Sequence, residues 1–331
     1  MQLEVGFGPM SLDIIDNLVD YAAVRQRKIM IIASRNQVDA ASLDGGYVLD
    51  TESFVNRVRH KDRTSGKLVK ICRDHSGPFL SSDDKGLHPT VALERTLESL
   101  KTDIECGFDL IHIDPSMSPD PYSVGEKMFE AVSGHPQIEL EFGSEENTGV
   151  AASVEKFEQD VMFAKQFCNP RFVVGQTGTL TGAVHQRGTF DALTAHLLVE
   201  IARKHDTELK EHNVDYTSRE EIELRKKVGI GGINIAPELG AIQTGVTIGL
   251  ALKLGLTEEV AKFQALVLSR GNWKKWMVDE SWNSDVATLA AGHYHFSSPE
   301  YHALREKVST EVPFDECLRT RLFEALDIYA S

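Results

Sequence analysis

The stretch Lys67-Leu-Val-Lys-Ile-Cys-Arg-Asp-His-Ser-Gly-Pro78 decides how the rest of the chain is interpreted. Its apolar, β-branched first half predicts a strand over 68–73. The strand then delivers an acid and an imidazole, Asp74 and His75, into a Gly-Pro turn. A metal-assisted active site at the open end of a barrel needs side chains of this kind at strand ends. The stretch therefore predicts such a site, provided that other strands end in matching groups.

Strand and helix patterns alternate along most of the chain. Segments that are apolar on both faces, such as 28–33, are typical of strands in a buried parallel sheet. Roughly eight strand–helix units over about 255 residues match the repeat and length of a (β/α)8 barrel. An open doubly wound sheet is the alternative, but Gly6-Phe-Gly8 is only a fragment of the Gly-x-Gly-x-x-Gly turn that such sheets carry. The predicted strands are 3–7, 28–33, 68–73, 108–113, 137–142, 171–174, 207–211 and 232–236.

The predicted fold is thus α/β: a (β/α)8 TIM barrel over residues 1–256, followed by a helical C-terminal extension over 257–331. The extension contains all three tryptophans of the chain, Trp273, Trp276 and Trp282. Such a concentration of indole rings indicates packing against the barrel or against a partner subunit.

Composition excludes several classes of function. The net charge of −15 argues against nucleic acid and against anionic membranes as partners, because no basic stripe balances it. The four cysteines are scattered without CxxC spacing, as is typical of reduced thiols in a cytoplasmic protein. We find no apolar run long enough to cross a membrane and no signal-peptide pattern at Met1, and we therefore expect a cytoplasmic protein.

Polar groups recur at the predicted strand ends, where the active sites of barrels lie. Two imidazoles and several carboxylates that converge on one mouth are able to hold a divalent ion, and Asp74 beside a ligand is placed to move a proton. We predict Asp74 as the catalytic residue and His75, His212 and Glu141 as metal ligands. The predicted substrate-binding residues are Asn36, Gln37, Asp114, Gln176, Asn213, Asp215 and Asn234.

Each of these assignments has a simpler structural alternative. An Asp-His pair after a strand is often a turn with a capping Asp. Glu139 shares a strand face with Glu141, so the sequence does not choose between them. His112 lies inside an apolar strand and is expected to be a hydrogen-bonded core residue.

A set of short motifs accompanies these residues in a fixed order. Each motif alone is weakly specific, whereas the shared order over most of the chain is more specific. The motifs are Arg35-Asn-Gln-Val38, Gly45-Gly-Tyr47, Asp74-His-Ser-Gly-Pro78, Ile138-Glu-Leu-Glu-Phe-Gly143, His212-Asn-Val-Asp-Tyr216, Gly232-Ile-Asn-Ile-Ala-Pro-Glu-Leu239 and His293-Tyr-His-Phe-Ser-Ser298.

In this order the motifs resemble those of the class II, zinc-dependent ketose-bisphosphate aldolases, and most closely the tagatose-bisphosphate aldolase non-catalytic (Z-type) subunit. The resemblance implies that Asp74 works as acid and base, that His75 and His212 bind zinc, and that Glu141 lies in or near the metal site. It also implies a divalent metal cofactor, Zn²⁺ before Mn²⁺, Co²⁺ or Mg²⁺, that makes a ketose carbonyl a better electron sink and stabilises an enediolate.

The sequence departs from the family pattern at two places. The third zinc histidine of the family falls in the loop after the sixth strand, where this chain has Gly175-Gln-Thr-Gly-Thr-Leu-Thr-Gly182. Gln176, His185 or Glu141 could replace it, or the site could be lost. Asp215 and Pro237 stand where the family grips phosphate, and neither suits an anion. Backbone amides between Gly178 and Gly182 offer an alternative phosphate loop.

Three functions remain open on the sequence. The first is a metal-dependent aldolase that acts on a ketose or a sugar phosphate. The second is a sugar isomerase or epimerase that uses the same metal-stabilised enediolate. The third is a non-catalytic subunit that stabilises a partner aldolase, which the missing third histidine favours. We accordingly expect a small-molecule sugar ligand and either a homo-oligomer or a complex with a partner aldolase subunit.

Overall fold

A computed structural model describes residues 3–63, 66–277 and 283–330. Eight parallel strands close into a barrel in the order β1-β8-β7-β6-β5-β4-β3-β2, which confirms the predicted TIM barrel. The longest pairing between two strands is that of β2 with β3, and it ends where Ser34 lies opposite Asp74. The strands are β1 Glu4–Phe7, β2 Ile29–Ser34, β3 Val69–Asp74, β4 Leu110–Ile113, β5 Glu139–Phe142, β6 Phe172–Val174, β7 Glu208–Glu211 and β8 Gly232–Ile235.

One helix follows each strand and packs outside the barrel. The helices are α1 Leu12–Arg25, α2 Thr51–Asp62, α3 Pro89–Cys106, α4 Pro121–Val132, α5 Val154–Ala164, α6 Ala192–Lys204, α7 Arg219–Val228 and α8 Pro237–Lys253. Except for α8, each begins after a residue whose side chain caps it, as where the Ser153 side chain accepts a hydrogen bond from the backbone of Lys156. Pro121 occupies the first position of α4, where its fixed φ suits the start of a helix.

Side chains alternate along each strand between the barrel interior and the surrounding helices. On β2, for example, Ile29 and Ile31 join the large core under the helices, whereas Met30 and Ile32 join a small cluster inside the barrel. Charged residues fill the interior above and below that cluster. At the lower end, Lys70 pairs with Glu4 and Glu139. The interior of the barrel is therefore a stack of apolar and ionic layers that ends at the open mouth.

The C-terminal extension consists of α9 Thr257–Arg270, α10 Ser284–Ala291, α11 Pro299–Glu311 and α12 Phe314–Tyr329. It shares a hydrophobic core with the barrel helices and covers α8. The Tyr301 hydroxyl accepts a hydrogen bond from Gln243 of α8 at 2.8 Å. Trp273 and Trp276 pack in this region, while Trp282 lies outside the described residues. Within the described ranges, the structure contains no helix that is both long enough and apolar enough to span a membrane.

Candidate active site

The end of β3 is fixed from outside the barrel by Arg73. Its guanidinium binds both carboxylate oxygens of Asp103 on α3, at 2.7 and 2.6 Å, and also donates to two backbone carbonyls. Because neighbouring side chains on a strand point to opposite faces, this anchor turns Asp74 into the barrel mouth. Asp74 as a whole residue is 8% exposed.

The turn after β3 places His75 next to Asp74. His75 adopts a left-handed backbone conformation with φ of 48°. Gly77 follows because a Cβ there would lie 1.6 Å from the carbonyl oxygen of Asp114. The Asp114 carboxylate in turn accepts a hydrogen bond from His75 Nδ1 at 2.7 Å. This bond fixes the tautomer and leaves His75 Nε2 facing Asp74, 3.6 Å from its Oδ2.

His112 reaches the same point from β4. Its neighbours Ile111 and Ile113 face the helices, so the imidazole points inward. His112 Nδ1 lies 3.5 Å from Asp74 Oδ1. His112 Nε2 is buried and has no hydrogen-bond partner in the described part of the chain. The structure therefore brings into the site a residue that the sequence pattern assigned to the hydrogen-bonded core.

His212 follows β7 and is oriented by a buried ion pair. Its Nε2 donates to Glu141 Oε1 at 2.7 Å, and Lys210 Nζ donates to Glu141 Oε2 at 2.5 Å. The lone pair of His212 Nδ1 then faces Asp74 Oδ1 across 3.8 Å. Glu141 thus lies behind His212, where carboxylates orient the histidines of many metal sites. Its predicted role as a metal ligand stays a prediction.

Asp74, His75, His112 and His212 form one compact cluster. Each offers one ligand atom, and these atoms all lie within 4.8 Å of one another. The three imidazole centroids are 5.1–5.6 Å apart. Three imidazole nitrogens suit a catalytic zinc site, which uses three protein ligands and keeps one position open. The carboxylates behind His75 and His212 direct the other ring nitrogens of these histidines toward a common point, where a cation would take the place of a proton. The donor set therefore fits a divalent cation with the Asp74 carboxylate beside it.

Burial and charge together set the protonation of the cluster. Burial alone raises the pKa of Asp74, but the nearby imidazoles of His75 and His212 hold that pKa well below its usual range. Burial opposes the charged form of His75, whereas Asp74 and Asp114 raise its pKa to about 9. Burial lowers the pKa of His212 against the opposing effect of Asp74 and Glu141. Burial raises the pKa of Glu141, but Lys210, His112 and His212 together more than offset this and bring it to about 2. The carboxylates are therefore ionised at neutral pH.

A cavity of about 990 Å³ opens above the cluster. Asn234 lies on its wall, where its Nδ2 donates to Asp74 Oδ1 at 3.4 Å and its Oδ1 has no partner among the described residues. Asn36 and Gln37 also line the wall, but their amides hold the loops around them. Asn36 donates to the carbonyl of Leu80 at 2.7 Å, and Gln37 accepts from the amide of Ser34 at 2.8 Å.

Asp215, on the same wall, closes the N-terminus of α8. Its Oδ1 accepts hydrogen bonds from the amides of Ala236 and Glu238 at 2.9 and 3.0 Å. Burial, together with the nearby Glu238 carboxylate, raises the pKa of Asp215 to about 7. A helix N-terminus is a general site for phosphate, and here a protein carboxylate already occupies it.

The loop after β6 lies away from the cavity. Gln176, Gly178 and Gly182 are not among the lining residues. The Leu180 amide donates to the Gln186 side chain at 2.7 Å, and the Gly182 amide donates to the carbonyl of His185 at 2.8 Å. His185 is not a member of the four-residue cluster. The loop therefore uses at least two of its amides to hold its own shape.

Comparison with known proteins points in one direction. No protein-family model matches the chain. Over 105 residues the chain is 27% identical to the D-tagatose-1,6-bisphosphate aldolase subunit GatZ of Klebsiella oxytoca, and the match covers 32% of this chain and 24% of the relative. The chain thus spans about a quarter of the length of the curated relatives that it matches.

Two solved structures share the fold at low sequence identity. A protein described as a probable tagatose 6 phosphate kinase from Sinorhizobium meliloti 1021 superposes with a TM-score of 0.81, at 15% identity over 99% of both chains. The fructose-bisphosphate aldolase (Fba) of Campylobacter jejuni gives a TM-score of 0.63, at 12% identity over 99% of this chain and 90% of that one. The chain is therefore a TIM-barrel protein that is similar over about a third of its sequence to the tagatose-bisphosphate aldolase subunit GatZ and similar in fold to a fructose-bisphosphate aldolase.

Proposed function

We propose that the chain is a metal-dependent sugar aldolase of the class II type. The observation that carries the proposal is the convergence of three imidazoles, from His75, His112 and His212, with the Asp74 carboxylate beside them, all with one donor atom within 4.8 Å of the others at the mouth of a TIM barrel. Strand-end residues at this face of the barrel are the usual source of catalytic groups. The sequence similarity to an aldolase subunit agrees with this assignment.

A divalent ion in this cluster, zinc before manganese, cobalt or magnesium, would act as a Lewis acid toward a ketose carbonyl. The protein itself would supply the proton transfer. Asp74 is ionised and buried beside the ligands, so it is able to accept a proton from a substrate hydroxyl or carbon and return it later. The free Oδ1 of Asn234 lies on the same wall and would accept a hydrogen bond from a sugar hydroxyl.

We propose a ketose or sugar phosphate as the substrate class, because the relatives are described as acting on tagatose phosphates. The cavity of about 990 Å³ is large enough for a hexose phosphate.

The direct test combines metal analysis with an aldol-cleavage assay on the Asp74→Asn variant. The amide keeps the shape of the side chain but cannot accept a proton, so we expect kcat to fall by roughly 10²–10⁴-fold. Asp83→Asn is the matched control, since Asp83 lines the same cavity on an exposed turn and has no proposed role. Full activity of Asp74→Asn would refute the mechanism. Solvent deuterium entering the recovered sugar without fragments would assign epimerisation in place of cleavage.

A second candidate is a non-catalytic subunit that stabilises a partner aldolase. The observation that favours it is the carboxylate of Asp215 at the N-terminus of α8, which removes the helix-terminal phosphate site. A chain that purifies without metal, that lacks aldol activity, and that raises the thermal stability of a co-purified catalytic aldolase would support this candidate. Bound metal with activity of the isolated chain would exclude it.

A further inference from the structure

The C-terminal extension places a positively charged wall on the cavity. Arg270, at the end of α9, and Lys274 and Lys275, in the short 3-10 helix Asn272–Trp276, line the cavity that contains the metal-type cluster. In the described part of the chain, no ion pair joins any of the three to a carboxylate. Among the described residues, these three cations share one wall without a carboxylate partner, although the chain has a net charge of −15 and its carboxylates outnumber its basic groups.

Two rings that line this wall carry buried polar atoms without a hydrogen-bond partner in the described part of the chain. His293 is 1% exposed and lines the cavity, yet neither of its ring nitrogens has a hydrogen-bond partner among the described residues. The indole Nε1 of Trp276 is likewise buried without an acceptor. Buried polar atoms are normally satisfied, so such groups on a cavity wall point to a ligand.

Packing holds these groups in place. His293 sits against α8 at Gly240, where an added Cβ would lie 2.7 Å from the Cβ of His293. Lys275 Nζ lies 4.6 Å from the Trp276 ring centroid and 5.2 Å from that of Tyr294. Burial, with Lys275 nearby, lowers the pKa of His293 to about 3. A neutral imidazole keeps one N–H donor, and it adds no positive charge of its own.

We propose that Arg270, Lys274 and Lys275, together with the ring N–H groups of Trp276 and His293, bind the phosphate group of a phosphorylated ligand. Cationic side chains and N–H donors are the partners that phosphate oxygens require. The site replaces the helix-terminal position that Asp215 closes. The proposed site assigns sugar phosphates rather than free sugars as the ligands of the cavity that contains Asp74. In that assignment it rests on the proposed function.

The three tryptophans of the chain provide a natural probe, since all of them lie between residues 273 and 282. The experiment titrates inorganic phosphate, D-tagatose 6-phosphate and D-tagatose into the full chain while tryptophan emission and calorimetric heat are recorded. We expect saturable binding of both phosphates and no binding of D-tagatose to this wall. Binding of inorganic phosphate alone assigns the site to free phosphate and overturns its role in sugar-phosphate recognition.

Matched variants locate the site. The Lys274→Gln/Lys275→Gln double variant is expected to weaken phosphate binding by roughly tenfold or more, because charged hydrogen bonds are lost. Lys127→Gln, on an exposed face of α4, is the charge control and should bind as the wild type does. For the indole, Trp276→Phe should weaken binding in calorimetry, while Trp273→Phe should not, because Trp273 Nε1 already donates to the carbonyl of Leu268 at 3.0 Å.

Two results would overturn the proposal: wild-type phosphate affinity in the double variant, or neither heat nor emission change when phosphate is added to the wild type. Aldol activity and metal content are measured on the same preparations. These two measurements distinguish failure of the phosphate site from failure of the proposed function. Phosphate binding without aldol activity leaves the phosphate site intact and rejects the aldolase. Aldol activity on the sugar phosphate with an unchanged KM in the double variant rejects the phosphate site alone.

Discussion

On one side of the barrel mouth, four ligand atoms from β3, β4 and β7 point into the cavity, whereas on the other side Asp215 closes the N-terminus of α8. The first side offers donor atoms that suit a cation. The second side offers no free helix N-terminus to an anion. The residues that would perform the chemistry and the residues that would hold a phosphate therefore belong to separate strands and loops. Either set can change while the other stays the same.

The buried ion pair below the chemical side gives the largest expected effect. Lys210→Met leaves the Glu141 carboxylate charged inside the barrel without the lysine that balances it, so we expect a loss of about 3–5 kcal/mol in the free energy of unfolding. Urea unfolding followed by circular dichroism measures it. The double variant Lys210→Met/Glu141→Gln removes the charge and should recover much of the loss. If the single and double variants were equally unstable, the charge balance between Lys210 and Glu141 would not be the source of the lost stability.

The third imidazole of the cluster gives the next effect. His112→Ala removes one of three nitrogen donors, and we expect the affinity for Zn²⁺ or Co²⁺ to fall by about 100-fold, which corresponds to about 2.7 kcal/mol. Metal titration with a competing chelator measures the affinity. His185→Ala is the control, because His185 was the other histidine that the sequence offered. If His185→Ala lost metal binding while His112→Ala kept the wild-type affinity, the third nitrogen ligand would be His185 and not His112.

On the side of the mouth where Asp215 caps α8, we expect the stability of the protein to depend on pH. Its pKa of about 7 in the folded chain exceeds the ordinary value of 3.8, so the folded chain holds the proton more tightly. Stability from this group is present at low pH and is lost as the pH rises toward and through about 7. Between pH 5 and pH 8 the wild type should lose roughly 2 kcal/mol of unfolding free energy through this group.

Asp215→Asn keeps the acceptor for the amides of Ala236 and Glu238 but does not titrate. Urea unfolding of both proteins at the two pH values should therefore show the variant gaining on the wild type at pH 8. Parallel losses of stability in the two proteins would show that Asp215 is not the group responsible.

The smallest expected effect concerns the carboxylate behind His75. Asp114→Asn weakens the hydrogen bond that orients His75 Nδ1, and changes of this kind reduce metal affinity by about tenfold. The same chelator competition measures it. Asp120→Asn, which changes only the cap of α4, is a surface control. A loss in Asp114→Asn as large as that in His112→Ala would give Asp114 a more direct role than orientation.

Much of the barrel could be predicted from local pattern. Strand β2 is apolar over consecutive residues, and β2 and β3 each end in polar groups before a turn. Asp74 and His75 are adjacent in sequence, so their shared position at a strand end needs no knowledge of the rest of the fold. The sequence motifs also led to the resemblance that the comparison with the aldolase subunit confirms.

The third imidazole was missed for a physical reason. In Ile111-His112-Ile113 the isoleucines dominate the pattern, although alternation along a strand puts His112 on the opposite face from both. That alternation was the available signal. The approach of His112 to His212, by contrast, depends on how β4 and β7 face each other across the closed barrel, which no local pattern contains.

The loop after β6 shows the same limit. Its glycines suggested free amides, but the partners of those amides, Gln186 and His185, become visible only once the loop has folded back on itself. The role of Glu141 likewise depends on Lys210, a residue of another strand. Contacts of this kind are set by tertiary packing rather than by composition.

The seam of the barrel has a consequence for how the chain matures on the ribosome. Strand β1 pairs with β8, with Glu4 opposite Gly232 and Phe7 opposite Ile235. The sheet can therefore close only after β8 has been synthesised. Until then the growing sheet has two open edges, which are the surfaces that pair with the wrong chain. Contacts between such distant segments also slow folding. Nascent chains that stop before β8 should accordingly depend on chaperones, and a break in translation near that point would be more harmful than one inside the C-terminal helices.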